Sequence, residues 1–242
     1  IKNYAFNGLF DIKDPNLNGT LNGNINFSGK PFKFDFTSNL RQVNLDFLGL
    51  TKDMKAIVRG HVTGDFSLTN INDLNGKIDI KNLYFQSKRD TISFDHVTLN
   101  STIDGNRKIM DVNVPDYVQA KLDGNFKVTE IVNVVNNSLV HLIPSFKKKN
   151  VSPGQKFDFD VYIEQNLLSY FDPSIKIEPE THIKGFIDSD ANVLTLDLDT
   201  PGIAYAGIEL FQSKVSLNTL EASNNLNAKI DVLKMGEYIE SK

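Results

Sequence analysis

The chain has 242 residues, 40% of them hydrophobic and 23% charged, with a formal net charge of −4. That apolar share suffices for a core and argues against disorder. The absence of a basic stripe disfavours nucleic acid as a partner, because neutralising phosphates takes clustered Lys and Arg. With no Cys, disulfides, Cys-ligated zinc and thiol nucleophiles are excluded.

Apolar and polar residues alternate along most of the chain, and a period of two puts all the apolar side chains of a strand on one sheet face. The pattern predicts strands over 4–12, 17–28, 31–38, 54–69, 75–86, 90–102, 107–115 and 117–128. Further strands are predicted over 156–164, 174–178, 181–189, 192–200, 202–211, 212–219 and 225–233. Short links such as Asp104-Gly105-Asn106 and Asp188-Ser189-Asp190 carry turn chemistry and imply an antiparallel meander. Gly60, Gly64, Gly76, Gly124, Gly185 and Gly207 fall inside strands, where glycine marks a bulge, a bend or a close approach. No run of about 18 apolar residues could cross a membrane as a helix.

Three segments leave the period of two. Residues 129–143 place Ile131, Val134, Val135, Leu139 and Leu142 at helical spacing, with Thr129 in the capping position. Residues 40–50 and 166–171 read as short amphipathic turns or helices, fitted to be small lids on an apolar sheet face. An internal similarity offset by 86 residues pairs Met110–Ala120 with Leu196–Ala206 and Pro115 with Pro201. Each copy reads as an alternating strand, a proline break and a return strand, the way an elongated repeat structure grows.

Candidate chemistry is sparse. The four histidines, His61, His96, His141 and His182, lie far apart and lack HxH or HExxH spacing, so metal ligation has no local support. Asp158/Asp160, Asp188/Asp190 and Asp197/Asp199 share strand faces, which polar-outward alternation produces without any catalytic role. Residues 188–199 resemble the start of a calcium loop, but Val193 stands where such a loop needs glycine to turn. Lys147-Lys148-Lys149 could meet anionic headgroups or lie in a solvated loop. No phosphate-cradling, dinucleotide or nucleophile-elbow motif occurs. The reading is therefore of a protein that is not an enzyme and uses no cofactor or metal.

An apolar sheet face must be covered, either by a second sheet or by a ligand. Strand parity assigns to that face Phe32, Phe34, Phe36, Val58, Val62, Phe66, Leu68, Ile78, Ile80, Met110, Val112 and Val114. It adds Val118, Leu122, Phe157, Phe159, Val161, Ile163, Leu194, Leu196 and Leu198.

The phrases Leu74–Phe85, Leu122–Val128 and Gly60–Leu68, with the units centred on Pro115 and Pro201, resemble repeats of the TamB and AsmA-like envelope proteins. The resemblance implies an all-β fold, an elongated antiparallel sheet curled into a U-shaped trough (the β-taco) with one or a few short helices. It implies a lipid-transport function in outer-membrane biogenesis: a periplasm-spanning bridge in a Gram-negative envelope, whose hydrophobic groove carries phospholipid acyl chains. Membranes and an Omp85-class outer-membrane barrel would be met through parts of the full-length protein outside this chain. Residues 1–242 are then one elongated repeat segment of a longer protein, with units near 75–128 and 160–217. The alternative is a closed β-sandwich serving as a binding or adhesion module of the cell surface. A transmembrane barrel is weakened by the lack of Trp and of an evident aromatic girdle.

Overall fold

A computed structural model describes residues 4–47, 49, 55–88, 90–140, 147–165, 175–205, 208–219, 225–235 and 239–241. The strands are β1 (Ala5–Lys13), β2 (Leu17–Asn26), β3 (Phe32–Asn44), β4 (Ile57–Leu68), β5 (Asn75–Gln86), β6 (Thr91–Asp104), β7 (Arg107–Val114) and β8 (Val118–Asn125). They continue with β9 (Lys156–Ile163), β10 (Lys176–Ile177), β11 (Thr181–Asp188), β12 (Val193–Tyr205), β13 (Ile208–Asn218), β14 (Asn225–Met235) and β15 (Ile239–Ser241). One α-helix, α1 (Ile131–Leu139), and 3₁₀ turns at Ile71–Asp73 and Val128–Glu130 complete the described elements. The protein is all-β and antiparallel, as the alternation predicts. It divides into two compact units, Ile1–Thr102 with Asp111–Pro115, and Ile103–Met110 with Asp116–Lys242.

In the first unit each strand from β1 to β6 pairs antiparallel with the next. Residues directly opposite each other share a face, so the register sorts the side chains into rows. One row is Phe6, Ile25, Phe34, Phe66, Gly76 and Ser101; the next is Gly8, Gly23, Phe36, Gly64, Ile78 and Leu99. A third is Phe10, Leu21, Ser38, Val62, Ile80 and Val97. The intervening residues, such as the row Asn24, Asp35, Asp65, Lys77 and Asn100, take the polar face.

The sequence turns a period of two into a step of three at Leu40/Val43 and Ile80/Leu83. The pairing register shifts at the corresponding places, between Leu40 and Val43 and between Arg59 and His61. These are β-bulges, each adding a residue so that Val43, Val58, Phe85 and Ile92 lie opposite one another and stay on the apolar face. This corrects the expectation of a turn or helix for 40–44 alone, because a bulge and a helix share the i, i+3 spacing: β3 runs on to Asn44, and the expected turn follows at 45–47, with Gly49 N–H donating to Asp46 O at 3.1 Å.

In the second unit the order is β8-β9-β11-β12-β13-β14-β15, antiparallel throughout, with β10 against the far half of β12. Pro201 does not break a strand as expected but lies inside β12. Pairing with β11 ends at Asp199 and pairing with β10 begins at Ile203, so no ladder bond needs the missing proline N–H. Pro115 instead follows the end of β7, so the two proline units of the sequence repeat fold differently. The hairpin expected at 211/212 lies between Tyr205 and Ile208, and β15 is a strand that the alternation missed. Residues 166–171 and the end of the predicted helix, 141–143, lie outside the described residues.

The hydrophobic core of the second unit is Met110, Phe126, Val134, Phe157, Ile187, Leu194 and Leu217. α1 supplies Val134, which is fully buried. Thr129 does not cap α1; it sits in the 3₁₀ turn, and Glu130 takes the N-cap position without a side-chain capping bond.

Two glycines show how closely the strands approach. Gly76 and Gly124 have φ of 132° and 148°, open to glycine and strained for other residues. A Cβ on Gly76 would lie 2.5 Å from Phe66 Cα, and one on Gly124 2.6 Å from Phe157 Cα. Gly76→Ala and Gly124→Ala are each expected to lower stability by about 2–4 kcal/mol through backbone strain and overlap. Gly29→Ala, with open space around it, should change it by less than about 0.5 kcal/mol. Urea unfolding of the three variants checks the contrast.

Candidate functional site: an apolar sheet face

Within each unit, the sequence-assigned lining residues that the register places share one face. Phe32, Phe34 and Phe36 lie opposite Leu68, Phe66 and Gly64, and Val62 and Gly64 opposite Ile80 and Ile78. Val118 and Leu122 lie opposite Ile163 and Phe159, and Val161 meets Ile183, which meets Leu198. Met110, Val112 and Val114 lie on β7. The Phe34 and Phe66 rings stack at 4.7 Å between centroids, and Phe36 meets Phe66 edge-on at 6.2 Å.

Exposure divides the set. Met110, Val114, Phe157, Ile163 and Leu194 are buried, while the other assigned residues are half-buried. In the first unit the three rows are half-buried across almost their whole width, with Phe10 exposed and Gly64, Ser38 and Ser101 buried. The described elements of that unit are the sheet strands and one 3₁₀ turn.

In the second unit the rows differ in cover. Phe157, Ile187 and Leu194, opposite one another, are sealed in the cluster that includes Val134. At the other margin Thr181, Thr200 and Ser213 are fully buried, and sequence reading missed them. The Thr181 hydroxyl donates to Glu178 O at 2.7 Å and lies 2.7 Å from the Thr200 hydroxyl, and Ser213 Oγ donates to Phe211 O at 3.0 Å. Hydroxyl residues at apolar-parity positions were the available signal, because a buried hydroxyl is tolerated only when bonded.

Side chains on polar networks hold α1 in place. The Glu130 carboxylate accepts from Ser152 N–H at 2.6 Å, Ser152 Oγ at 2.9 Å and Gln155 Nε2 at 2.9 Å. Asn137 makes a two-way amide pair with the Lys149 backbone, at 2.8 and 2.7 Å. Lys108 is buried with its ammonium donating to Phe126 O at 3.1 Å and lying 4.5 Å from the Phe126 ring centroid.

Cross-strand rows of alternating charge mark the polar face of the second unit, whereas in the first unit Asp35 lies directly opposite Asp65. Lys121, Asp160, Lys184 and Asp197 form one cross-strand row, and Tyr162, His182, Asp199 and Lys214 the next. His182 shares a 2.7 Å hydrogen bond with Asp160, His96 one of 2.8 Å with Asp79, and Lys214 pairs with Asp199. Arg107 grips Asp123 through two bonds of 2.6 and 2.7 Å, which offsets the like charge of Asp158 directly opposite. An open hollow of about 520 Å³ lies among His182, Lys184, Asp197, Asp199, Lys214 and Lys229. Asp188 accepts a turn bond from Ala191 N–H and pairs across the ladder with Val193, so this segment is a hairpin rather than a calcium loop, and Asp190 accepts a long-range bond from Gly154 N–H. Among the described residues no group of three or more His, Asp or Glu could hold a metal ion, and no helix is long and apolar enough to cross a membrane. His141 lies outside the described residues.

No protein-family model matches the chain, and no curated protein or solved structure matches it significantly.

Phe157→Ala is expected to cost about 3–5 kcal/mol, read by chemical unfolding, because the ring is sealed between α1 and the sheet. The bonds from Ser152, the backbone N–H first, hold the Glu130 carboxyl below its ordinary pKa. A depressed pKa contributes stability above the unfolded value, about 4.3 for Glu, and that contribution is lost as pH falls through the folded value. Thermal melts should therefore show wild type exceeding Glu130→Gln at pH 7, with the gap closing below about pH 4.

Proposed function

We propose that this chain is a segment of a lipid-transfer bridge, with its apolar sheet face carrying phospholipid acyl chains between the membranes of a Gram-negative envelope. The observation that carries the reading is the first unit's face: three registered rows of Phe, Ile, Leu, Val and Gly, interrupted by Ser38 and Ser101, across six strands and mostly half-buried, with no described layer of that unit standing over them. Each methylene held against such a face rather than in water gains about 0.8 kcal/mol. A passive path needs no nucleophile, acid or metal, and several carboxylates of the polar face, among them Asp79, Asp123, Asp160 and Asp199, have structural partners. The resemblance of the Gly-punctuated repeats to TamB and AsmA-like proteins supports the same reading. In that reading the anchor and the contact with an Omp85-class barrel belong to other parts of the protein.

Purified without detergent, the chain should retain phospholipid in native mass spectrometry. Val62→Asp, placing a charge in the third row, should reduce retention while circular dichroism stays unchanged, since a half-buried site lets the carboxylate reach water. A lipid-free chain that also moves no labelled phospholipid between vesicles would refute the reading.

A further inference from the structure

Among the described residues β1 pairs with β2 alone, so its other side is an open sheet edge. Tyr4 O accepts from Phe27 N–H, and Asp14 N–H donates to Leu17 O, so even-numbered residues at both ends of β1 bond toward β2. Bonded and non-bonded pairs alternate along an antiparallel ladder. The N–H and C=O groups of Ala5, Asn7, Leu9, Asp11 and Lys13 therefore point outward. The usual guards of an edge are missing: the register runs unshifted over nine residues without a proline, and the charges, Asp11 and Lys13, sit at one end.

Two residues of this edge are out of keeping with their surroundings. Leu9 is 68% exposed and stands on the polar face, in the row of Asn22, Thr37, Thr63 and Asp79. Gly8 has φ of 139°, close to the 150° of Gly23, 132° of Gly76 and 148° of Gly124. At each of those three a Cβ would stand within 2.6 Å of the Cα of a facing phenylalanine, whereas at Gly8 it would meet only Phe6 Cζ, at 3.9 Å. Gly8 faces Gly23, so among the described residues it lacks the aromatic across the ladder that restores packing at a strand glycine.

We propose that β1 is a homodimer interface, the β1 edges of two copies pairing antiparallel about a twofold axis at Leu9. Only the register centred there pairs all nine residues of β1. Its hydrogen-bonded pairs are Ala5 with Lys13, Asn7 with Asp11 and Leu9 with Leu9, the residues whose bonding groups point outward, and no like charges are opposed. A register one residue away would join the apolar face of one copy to the polar face of the other. On the polar face Leu9 is covered by its own counterpart. On the apolar face Phe10, 43% exposed, falls opposite the second copy's Gly8 and supplies the missing aromatic. Such a pairing is isologous and closes at two copies. The inference is independent of what the apolar face carries.

An interface of one short strand a side is small, so the dimer is expected with a Kd of about 1–100 μM. Sedimentation equilibrium of the chain over that range, without lipid, should show monomer and dimer in exchange. Leu9→Pro removes an outward N–H and spares the β1–β2 ladder; it should raise Kd about tenfold or more, with circular dichroism unchanged. The chain has no Cys, so Leu9→Cys carries one thiol, which dibromobimane, a reagent that joins adjacent thiols, should link to its counterpart. In Asn7→Cys the two thiols are offset by four residues, about 14 Å along the strand, and should stay unlinked. Both cysteines sit at exposed edge positions, so this comparison stands even if Leu9→Pro unfolds. A chain that is monomeric throughout the range overturns the proposal. So does a dimer unmoved by a folded Leu9→Pro, which would be held through another surface, and so does linking of Asn7→Cys as efficient as that of Leu9→Cys, which would mean a different register.

Discussion

Where a strand interior of this protein carries glycine, a phenylalanine often stands directly across the ladder. Gly23 and Gly64 both face Phe36, Gly76 faces Phe66, Gly124 faces Phe157, Gly185 faces Phe159 and Gly202 faces Phe211. The pairing is steric. A Cβ on Gly64 would lie 2.8 Å from ring atoms of both Phe36 and Phe66, so the two rings share the space that a side chain would fill. Aromatic cover of strand glycines restores packing that glycine alone forfeits. It also lays the rings down against the sheet rather than standing them up, so their apolar area is partly screened by the strand beside them. A sheet face built this way stays half-buried without a second sheet, and the other features of the site follow from that.

The polar face supplies what the apolar face lacks, which is specificity of register. Slipping a strand by one residue would exchange its two faces, and in the second unit it would also take Asp160 from between Lys121 and Lys184. Slipping β9 by two residues so that Tyr162 replaces Asp160 keeps the faces but breaks the charge order along the row. The individual exposed pairs contribute little. Collectively they make neighbouring registers worse, which matters for long strands whose apolar rows, rich in Leu, Val and Ile, discriminate weakly among even-numbered slips.

Much of this was legible in the sequence, because a period of two is a local property that needs no knowledge of the partner strand. Strand content, antiparallel order and the parity of residues such as Phe34, Val62, Ile80 and Leu196 follow from it. The bulge at Leu40/Val43 was not legible as such: a step of three reads equally as helix, and only the neighbouring strand decides. Pro201 misled for a related reason, since whether a proline breaks a strand depends on whether a neighbour asks for its N–H. The grading of the face was hidden most completely. Leu194 and Leu198 are the same residue type, on one strand, with one parity, yet one is sealed and the other half-open. The difference comes from Val134, sixty residues earlier in the chain, and from a clamp of Glu130, Ser152 and Gln155 that no periodicity announces.

That contrast bears on how one strand grammar can serve two purposes. In the first unit, rows such as Phe6 to Ser101 and Gly8 to Leu99 keep nearly uniform half-burial across six strands, so the face offers the same surface at each step. In the second unit the same alternation is interrupted from outside, by a short helix with mediocre intrinsic helix propensity in its Val and Asn residues. α1 is too short to be stable alone. Its order is imposed by the apolar contacts of Val134 beneath it and by the polar bonds that tie it to residues 149–155. Local sequence thus determines which face is apolar, and tertiary contacts determine how much of that face is sealed.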